Sequence, residues 1–365
     1  MSSGSETGPL DPVLLDPTVV IGTGLLGASV GAALTRAGIE VHLSDAVVHH
    51  ARVAATLGAG TTAPVDPGTV RLVVVATPPR TLAGIIGRAL DRYPRAVVTD
   101  VGSVKGSVLR ELRGGGRDLS RYLGSHPMAG SQHSGPAAAS ADLFVDRTWA
   151  ITPHEHVAEG TAATVRALIE VCGARPVVLQ PDDHDAAVAQ VSHLPHLMSV
   201  LMADHLVDLP ARHLDLAGQG LRDVTRIAGS DPDLWDQIID ANTAALRPEL
   251  EAVHERLGAL IVALETGEDD VRPFLERGRS GTRRIPGKHG APATEYARLV
   301  IEIPDARGAL ARLFQDIAGA GVNIEDIAIQ HDPARQVGYL EVAVDPDRAV
   351  EVAEAMKDAG WRLHG

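Results

Sequence analysis

The chain offers almost no sulfur chemistry: one cysteine, Cys172, stands in 365 residues. A single thiol excludes an internal disulfide framework and fits a reducing compartment. Cys172 closes an apolar helical stretch, so it reads as buried filler rather than a nucleophile. Positive charge is scarce as well. Against 47 Asp and Glu there are 33 Lys and Arg, for a net charge of −14. That balance excludes a general nucleic-acid or anionic-membrane surface, and an anionic ligand would need locally placed arginines. No apolar run is expected to reach the ~18 residues that span a bilayer. Residues 1–17 are rich in Ser, Gly, Pro and Asp. They lack the charged-then-apolar order of a secretory leader and read as a disordered tail, which makes a cytoplasmic protein the expectation. What the chain has instead is apolar bulk, 45 % of its residues, in a length that calls for two or three domains.

The most telling stretch begins at Thr18. The apolar run Thr18–Ile21 feeds into a Gly-x-Gly-x-x-Gly turn, Gly22, Gly24 and Gly27, with Leu25 and Leu26 between the last two. A helical stretch follows and Gly38 stops it; a second apolar strand, Val41–Ser44, ends on Asp45. The glycines suit a tight turn, close backbone approach to a pyrophosphate and close helix-on-strand packing. The helix N-terminus supplies free N–H groups for phosphates. Asp45 can accept from a ribose 2′-OH and would repel a 2′-phosphate, so NAD is the expected cofactor.

Strands and helices alternate onward, with apolar runs at 71–76, 96–100, 122–125 and 148–151. This predicts an α/β fold, a Rossmann-like doubly wound parallel sheet over 18–180, with ligands beyond the carboxyl ends of its strands. Thr77 and Pro78, which stop the 71–76 strand, then face the cofactor. Residues 181–278 carry Ala, Leu, Asp and Glu at helical spacing. They read as an all-α domain, with one long helix over about 182–208 and another over about 232–265, burying apolar faces in a homodimer. Residues 279–296, rich in Gly, Pro, Arg and Lys, read as a linker, with Arg283, Arg284 and Lys288 on a solvated tether. Residues 297–365 predict a β-α-β-β-α-β ferredoxin-like module.

Four constellations carry the chemistry. In Asp100–Gly106, Ser103 either caps the next helix or sits with Lys105 over the nicotinamide and substrate. In Ser125–Gly130, His126 leaves a strand end, placed to accept or polarise a proton, or else to bond backbone. His193 and His196 lie three apart on a helix that Pro195 should bend or open locally. They read as core residues or as substrate contacts. With no thiolates and no Glu at zincin spacing, no metal is expected. Arg226 is a natural fork for a substrate carboxylate, or a surface partner for Asp223. Ser230-Asp231-Pro232 starts the next helix, with Trp235 just inside.

Together these pieces resemble the prephenate/arogenate dehydrogenase family. The matching segments are Gly22–Gly27, Asp100–Gly106, Ser125–Gly130, Ser192–His196 and Asp223–Pro232, in family order over about 18–278. The resemblance implies NAD-dependent oxidative decarboxylation of prephenate or arogenate on the route to tyrosine. It implies that His126 holds the ring hydroxyl, that Ser103 orients His126 or touches hydroxyl and nicotinamide, that Arg226 binds the side-chain carboxylate, and that His196, His193 and Trp235 line the pocket. Many relatives carry an acid where this chain has Gln132 and then His133, so the choice between keto acid and amino acid stays open. Residues 297–365 resemble an ACT domain, with Asp305, Gly308, Ala309, Asn323 and Ile324 at its effector turn and strand; an aromatic amino acid is the implied effector. Two other readings stand beside these: a 3-hydroxyacid-type NAD dehydrogenase, which would want a lysine on the first helix of the helical domain, and a non-enzymatic NAD and amino-acid sensor.

Overall fold

The computed structural model describes residues 14–130, 134–266, 271–285, 296–332 and 337–364. The chain divides into two units at Glu265/Thr266.

The first unit opens with β1 (Thr18–Ile21), α1 (Leu25–Arg36), β2 (Val41–Ser44), α2 (Val48–Thr56), β3 (Leu72–Val75) and α3 (Pro79–Arg92). It continues with β4 (Val97–Asp100), α4 (Gly106–Gly114), β5 (Tyr122–Pro127), β6 (Thr148–Thr152), α5 (Glu159–Val171) and β7 (Arg175–Val178). The seven strands form one sheet in the order β2-β1-β3-β4-β5-β6-β7. Strand side chains alternate between two cores. Val20, Leu72 and Val74 pack with Leu34 of α1 and Leu168 of α5. Val19, Val73 and Val75 pack with Ile86 of α3 and Leu112 of α4. Because both faces are covered, the strands read as unbroken apolar runs. Removing such a buried branched side chain costs about 2–5 kcal/mol. Gly38, at φ +84°, ends α1 where a side chain would be strained.

Two expectations need correction here. The sheet is not wholly parallel, since β6 pairs antiparallel with β5 and β7 pairs parallel with β6. The β5–β6 connection contains, among its described residues, only a 3-10 turn at Pro136–Ala138. Without a crossover helix the chain returns antiparallel. The tail expected over 1–17 also ends earlier. Leu15 is fully buried in the first core, Asp16 accepts from Glu40 N at 2.8 Å, and Pro17 O accepts from Arg71 N at 3.0 Å.

The rest of the first unit has no strand among its described residues. It comprises α6 (Pro181–Val188), α7 (Leu194–His205), α8 (Ala211–Leu214), α9 (Gln219–Thr225), α10 (Pro232–Ala241) and α11 (Thr243–Thr266). The long helix expected over 182–208 is a continuous path, but a π turn at Ala189–His193 separates α6 from α7. Pro195, at the start of α7, has no N–H to give the preceding turn, and the widened turn absorbs the mismatch. By length and composition Pro181–Asp208 could cross a membrane, contrary to expectation. Its apolarity is spread between polar residues rather than gathered in one run. Val191, Leu201, Met202 and Val207 lie on its exposed surface, whereas His184, Asp185, His193 and His196 are buried. The second long helix is two, broken at Asn242, whose buried amide is used elsewhere.

The second unit contains α12 (Arg272–Thr282), β8 (Ala297–Pro304), α13 (Ala309–Gly319), β9 (Asp326–Asp332), β10 (Val337–Val344), α14 (Ala349–Asp358) and β11 (Arg362–His364). α12 occupies the start of the stretch expected to be linker, and the expected 181–278 domain is divided at 265. Lys288 lies outside the described residues. Strand order β11-β8-β10-β9, antiparallel throughout, is the ferredoxin-like arrangement. One sheet face packs Ile301, Leu340 and Val342 against Leu313, Val352 and Met356. The second strand of the module is Asp326–Asp332.

Candidate active site

The turn after β1 is a backbone cradle. Gly22 has φ +94°, and a Cβ there would come 2.3 Å from Ala76 O. A Cβ on Gly27 would come 1.9 Å from Gly22 O, so α1 can approach the turn only with glycine. Around Gly24, by contrast, a Cβ would meet nothing within 4 Å. Gly24 is also the N-cap of α1 and gives it no side-chain cap, which leaves the N–H groups of the first turn, including Leu25 and Leu26, for an anion. Asp45 closes the far side, with its Oδ2 accepting from Thr23 N at 2.6 Å and Thr23 Oγ1 at 2.9 Å. Thr77 Oγ1, beyond the end of β3 and beside Gly22, is buried without a hydrogen-bond partner among the described residues. An open cradle, a helix terminus and an orphaned hydroxyl together fit a dinucleotide, and Pro78 follows as the N-cap of α3.

The next loop is closed rather than open. Lys105 is buried, ion-paired with Asp100, and its Nζ donates to Ser125 O at 2.8 Å. Tyr122 Oη donates to the other oxygen of Asp100 at 2.8 Å. Burial, with the Asp100 charge beside it, holds the Tyr122 phenol well above its ordinary range. Lys105 therefore does not reach over a ligand as expected; it fastens β4 to β5 just before His126. Ser103 is half-buried and does not cap α4. Asp185 of α6 does so instead, its two oxygens accepting from Lys105 N and Gly106 N, each at 2.8 Å.

His126 sits near the carboxyl end of β5, opposite Ala150 of β6. Its Nδ1 lies 3.0 Å from His184 Nε2, and His184 Nδ1 lies 2.9 Å from Asp185 Oδ1. Ser103, read as orienting His126 or touching hydroxyl and nicotinamide, has no described hydrogen bond to His126, whose Nδ1 faces His184 instead. Burial, reinforced by nearby His184 and Lys105, pushes the His126 imidazole well below its ordinary pKa, so it stays neutral.

Along α7, His196 stacks on Trp235 with rings 3.4 Å apart and 3° from parallel, and His193 meets the same indole edge-on at 6.0 Å. The expected shared face is therefore real. Asn242 Nδ2 donates to Asp185 O at 2.9 Å and lies 3.1 Å from His193 Nδ1, tying the α10–α11 junction to α6 and the π turn. His193 accepts there, and burial lowers its pKa to about 4. Asp231 caps α10 through Asp233 N at 3.0 Å, which fixes Trp235. Arg226 opens a 3-10 turn packed on α7; it is exposed and makes no ion pair among the described residues. Asp223, its alternative partner, instead accepts from Gln219 Nε2 at 2.9 Å. Gln132 lies outside the described residues.

Sequence reasoning missed His184, Asp185 and Asn242. The first two sit in Pro181-Asp-Asp-His-Asp185, which looks like an acidic first helical turn; the one signal was a His-Asp pair directly after the sheet. Cys172 is buried and its thiol is pushed up to about 12. In the second unit a cavity of about 570 Å³ is lined by Gly308 and Ala309 with Arg307, Arg312, Trp361 and Arg362. Asp305, Asn323 and Ile324 do not line it; Asn323 Nδ2 donates to Glu325 Oε1 at 2.8 Å.

Two family models match the chain. The nucleotide-binding domain of prephenate dehydrogenase matches residues 30–178, and its dimerization domain matches 180–276. A probable prephenate dehydrogenase of Streptomyces niveus, NovF, is 37 % identical over 95 % of this chain and 96 % of its own length. The cyclohexadienyl dehydrogenase of Zymomonas mobilis is 30 % identical over 69 % of this chain and 89 % of its own. Among solved structures, prephenate dehydrogenase from A. aeolicus in complex with hydroxyphenyl propionate and NAD+ aligns with TM-score 0.67 and 27 % identity. It covers 74 % of this chain and 98 % of that one.

Proposed function

We propose, from the premise that this chain belongs to the prephenate dehydrogenase family, that it oxidatively decarboxylates prephenate, or arogenate, with NAD⁺. The product is 4-hydroxyphenylpyruvate, or tyrosine. The observation that carries this is a buried, neutral His126, bonded among the described residues through Nδ1 only, at a strand end in the same sheet whose β1 turn forms the open cradle.

The chemistry supplied by bound NAD⁺ is acceptance of hydride from the ring carbon bearing the hydroxyl. His126 Nε2 accepts the hydroxyl proton as that carbon becomes a carbonyl, then returns it to the phenolic oxygen. The ring carboxylate departs as carbon dioxide, its bonding pair entering the ring. Aromatisation drives the step, so the chain mainly orients and polarises. Arg226 takes the side-chain carboxylate and leaves the ring carboxylate free to depart. His196, His193 and Trp235 form an apolar, neutral wall for the ring, and Ser103 contacts substrate and cofactor. Gly22, Gly24, Leu25, Leu26 and Gly27 hold the pyrophosphate, Thr77 and Pro78 flank it, and Asp45 holds the ribose.

The enzyme works as a cytoplasmic homodimer. Exposed Leu201, Met202, Leu257 and Ile261 favour burial of α7 and α11 against a second copy. The second unit is an ACT-like sensor of an aromatic amino acid, and tyrosine addition should change kinetics or thermal stability. Following NADH absorbance with NAD⁺ and prephenate, then arogenate, tests the activity. Turnover of neither would return the chain to a 3-hydroxyacid dehydrogenase or a sensor.

A further inference from the structure

The His126 imidazole must present a bare nitrogen to accept a proton, and a neutral imidazole has only one. Which nitrogen carries hydrogen is settled by its partner. Here that partner is another imidazole, His184, which is buried on α6. Behind it stands Asp185, whose Oδ1 faces His184 Nδ1 at 2.9 Å. The same carboxylate accepts from two backbone N–H groups at the start of α4. A carboxylate surrounded by donors admits only a donor on its remaining side, so His184 carries hydrogen on Nδ1. Its Nε2, 3.0 Å from His126 Nδ1, is then the acceptor.

We infer that His184, anchored by Asp185, is a positioning residue that holds His126 as the Nδ1–H tautomer and so leaves Nε2 as the proton acceptor. The inference deepens the activity proposed above and rests on it for its kinetic consequences. When the substrate hydroxyl gives its proton to Nε2, the imidazolium formed shares its Nδ1–H with His184, whose own Nδ1–H points at the Asp185 charge. The positive charge is thus met by a negative one through a hydrogen-bonded ring. As the carbon–carbon bond breaks and its electron pair reaches the ring oxygen, the proton returns to that oxygen. No net proton is taken up, and His126 ends in its starting tautomer. The charged and titratable groups around the pair are Lys105 with Asp100 from the β4 loop, Asp185 from α6 and His193 from the π turn. Lys105 opposes protonation of His126.

The contact has a specific chemical signature. A glutamine at 184 can offer its Oε1 near where His184 Nε2 lies, whereas a leucine offers no acceptor. His184→Leu should lower kcat by about 10- to 10²-fold with KM for both substrates little changed, and His184→Gln should recover most of the loss. Nitrogen-15 spectra of histidine-labelled protein without ligand, with the His126 signals assigned by their loss in His126→Asn, read the tautomer directly. The wild-type protein should hold His126 as Nδ1–H from about pH 6 to 8. His184→Leu should mix in the Nε2–H form. So should Asp185→Asn, which keeps an oxygen for the α4 N–H groups and serves if the leucine variant does not fold. An Nε2–H wild-type His126, or an unchanged tautomer and kcat in His184→Leu, overturns the inference. The expected tautomers in a protein that turns over neither prephenate nor arogenate would uphold the positioning and overturn the activity instead.

Discussion

Two glycine-bearing loops leave neighbouring regions of one sheet, and they are built in opposite ways. After β1, the turn at Gly22–Gly27 is hollow: a Cβ on Gly24 would touch nothing. After β4, the loop Asp100–Gly106 is full: a Cβ on Gly102 would lie 2.5 Å from Leu82 Cδ2 and 3.1 Å from Asp100 Oδ1. The first loop spends only Thr23, on Asp45, and leaves the start of α1 uncapped, with Thr77 Oγ1 beside it unpartnered among the described residues. The second spends nearly all of its polar groups internally, on Asp100, Lys105, Tyr122 and Ser125. Both carry glycines, but one loop is left open to a ligand and the other fixes the frame from which His126 projects.

The comparison breaks most easily at its closed end. Lys105→Met should leave Asp100 buried without its cation, a loss of about 3–5 kcal/mol in urea unfolding. A loss below about 1 kcal/mol would mean that the pair is solvated and the loop is not a buttress. Next in size is the group the buttress holds. His126→Asn should lower kcat by about 10²-fold or more while NAD⁺ affinity, proposed to rest on the open loop, persists. Because burial depresses the His126 pKa, the acid limb of wild-type kcat should lie below pH 6.5, the ordinary histidine value. The sign follows from protonation: the ring accepts a proton from substrate only while neutral, and burial keeps it neutral to lower pH. A limb centred at or above 6.5 would point to an exposed imidazole.

A pair of single-methyl substitutions sharpens the contrast. Gly102→Ala should cost about 1–3 kcal/mol of stability, since Leu82 or the Asp100–Lys105 pair must shift. Gly24→Ala, at an ordinary φ of −70°, should leave Tm unchanged and weaken NAD⁺ binding by about 10-fold, because the methyl fills space meant for the pyrophosphate. Measuring Tm and NAD⁺ affinity on both variants gives four numbers. Equal effects on both quantities would erase the distinction.

The same contrast explains what the sequence could and could not reveal. The hollow loop was legible because its logic is local: three glycines, a strand before, a helix after, an acid at 45. The ferredoxin-like order of the second unit and the helix start at Asp231-Pro232 were legible for the same reason. Lys105 was misread because a lysine in a loop is ordinarily solvated. Its burial depends on Tyr122 and Ser125, brought alongside by strand pairing. His184 and Asp185 were passed over because acids in a first helical turn already have an explanation in the helix dipole. Only α6 packed on α4 reveals that Asp185 caps a different helix. Asn242 hid inside a helical pattern that its side chain interrupts. The antiparallel β6 was missed because apolar strands carry no mark of direction.

The smallest expected effect lies on the helical side, where Arg226 extends the comparison. Like the hollow loop, it is unspent: exposed, without an ion pair among the described residues, on a turn packed against the helix that carries His196. An exposed guanidinium with no ion pair among the described residues can be removed at little cost to the fold. Arg226→Ala should therefore leave Tm within about 1 °C of wild type, as for a surface substitution. If the guanidinium holds the side-chain carboxylate in ground state and transition state alike, KM should rise about 5- to 10-fold with kcat nearly constant. Arg226→Lys should restore part of the loss, since a point charge replaces a two-pronged donor. An unchanged KM would assign the carboxylate to another residue. A fall in kcat matching the rise in KM would mean that Arg226 also aligns the ring over the cofactor, which would make the open side of the cleft as much a part of the catalytic frame as the closed one.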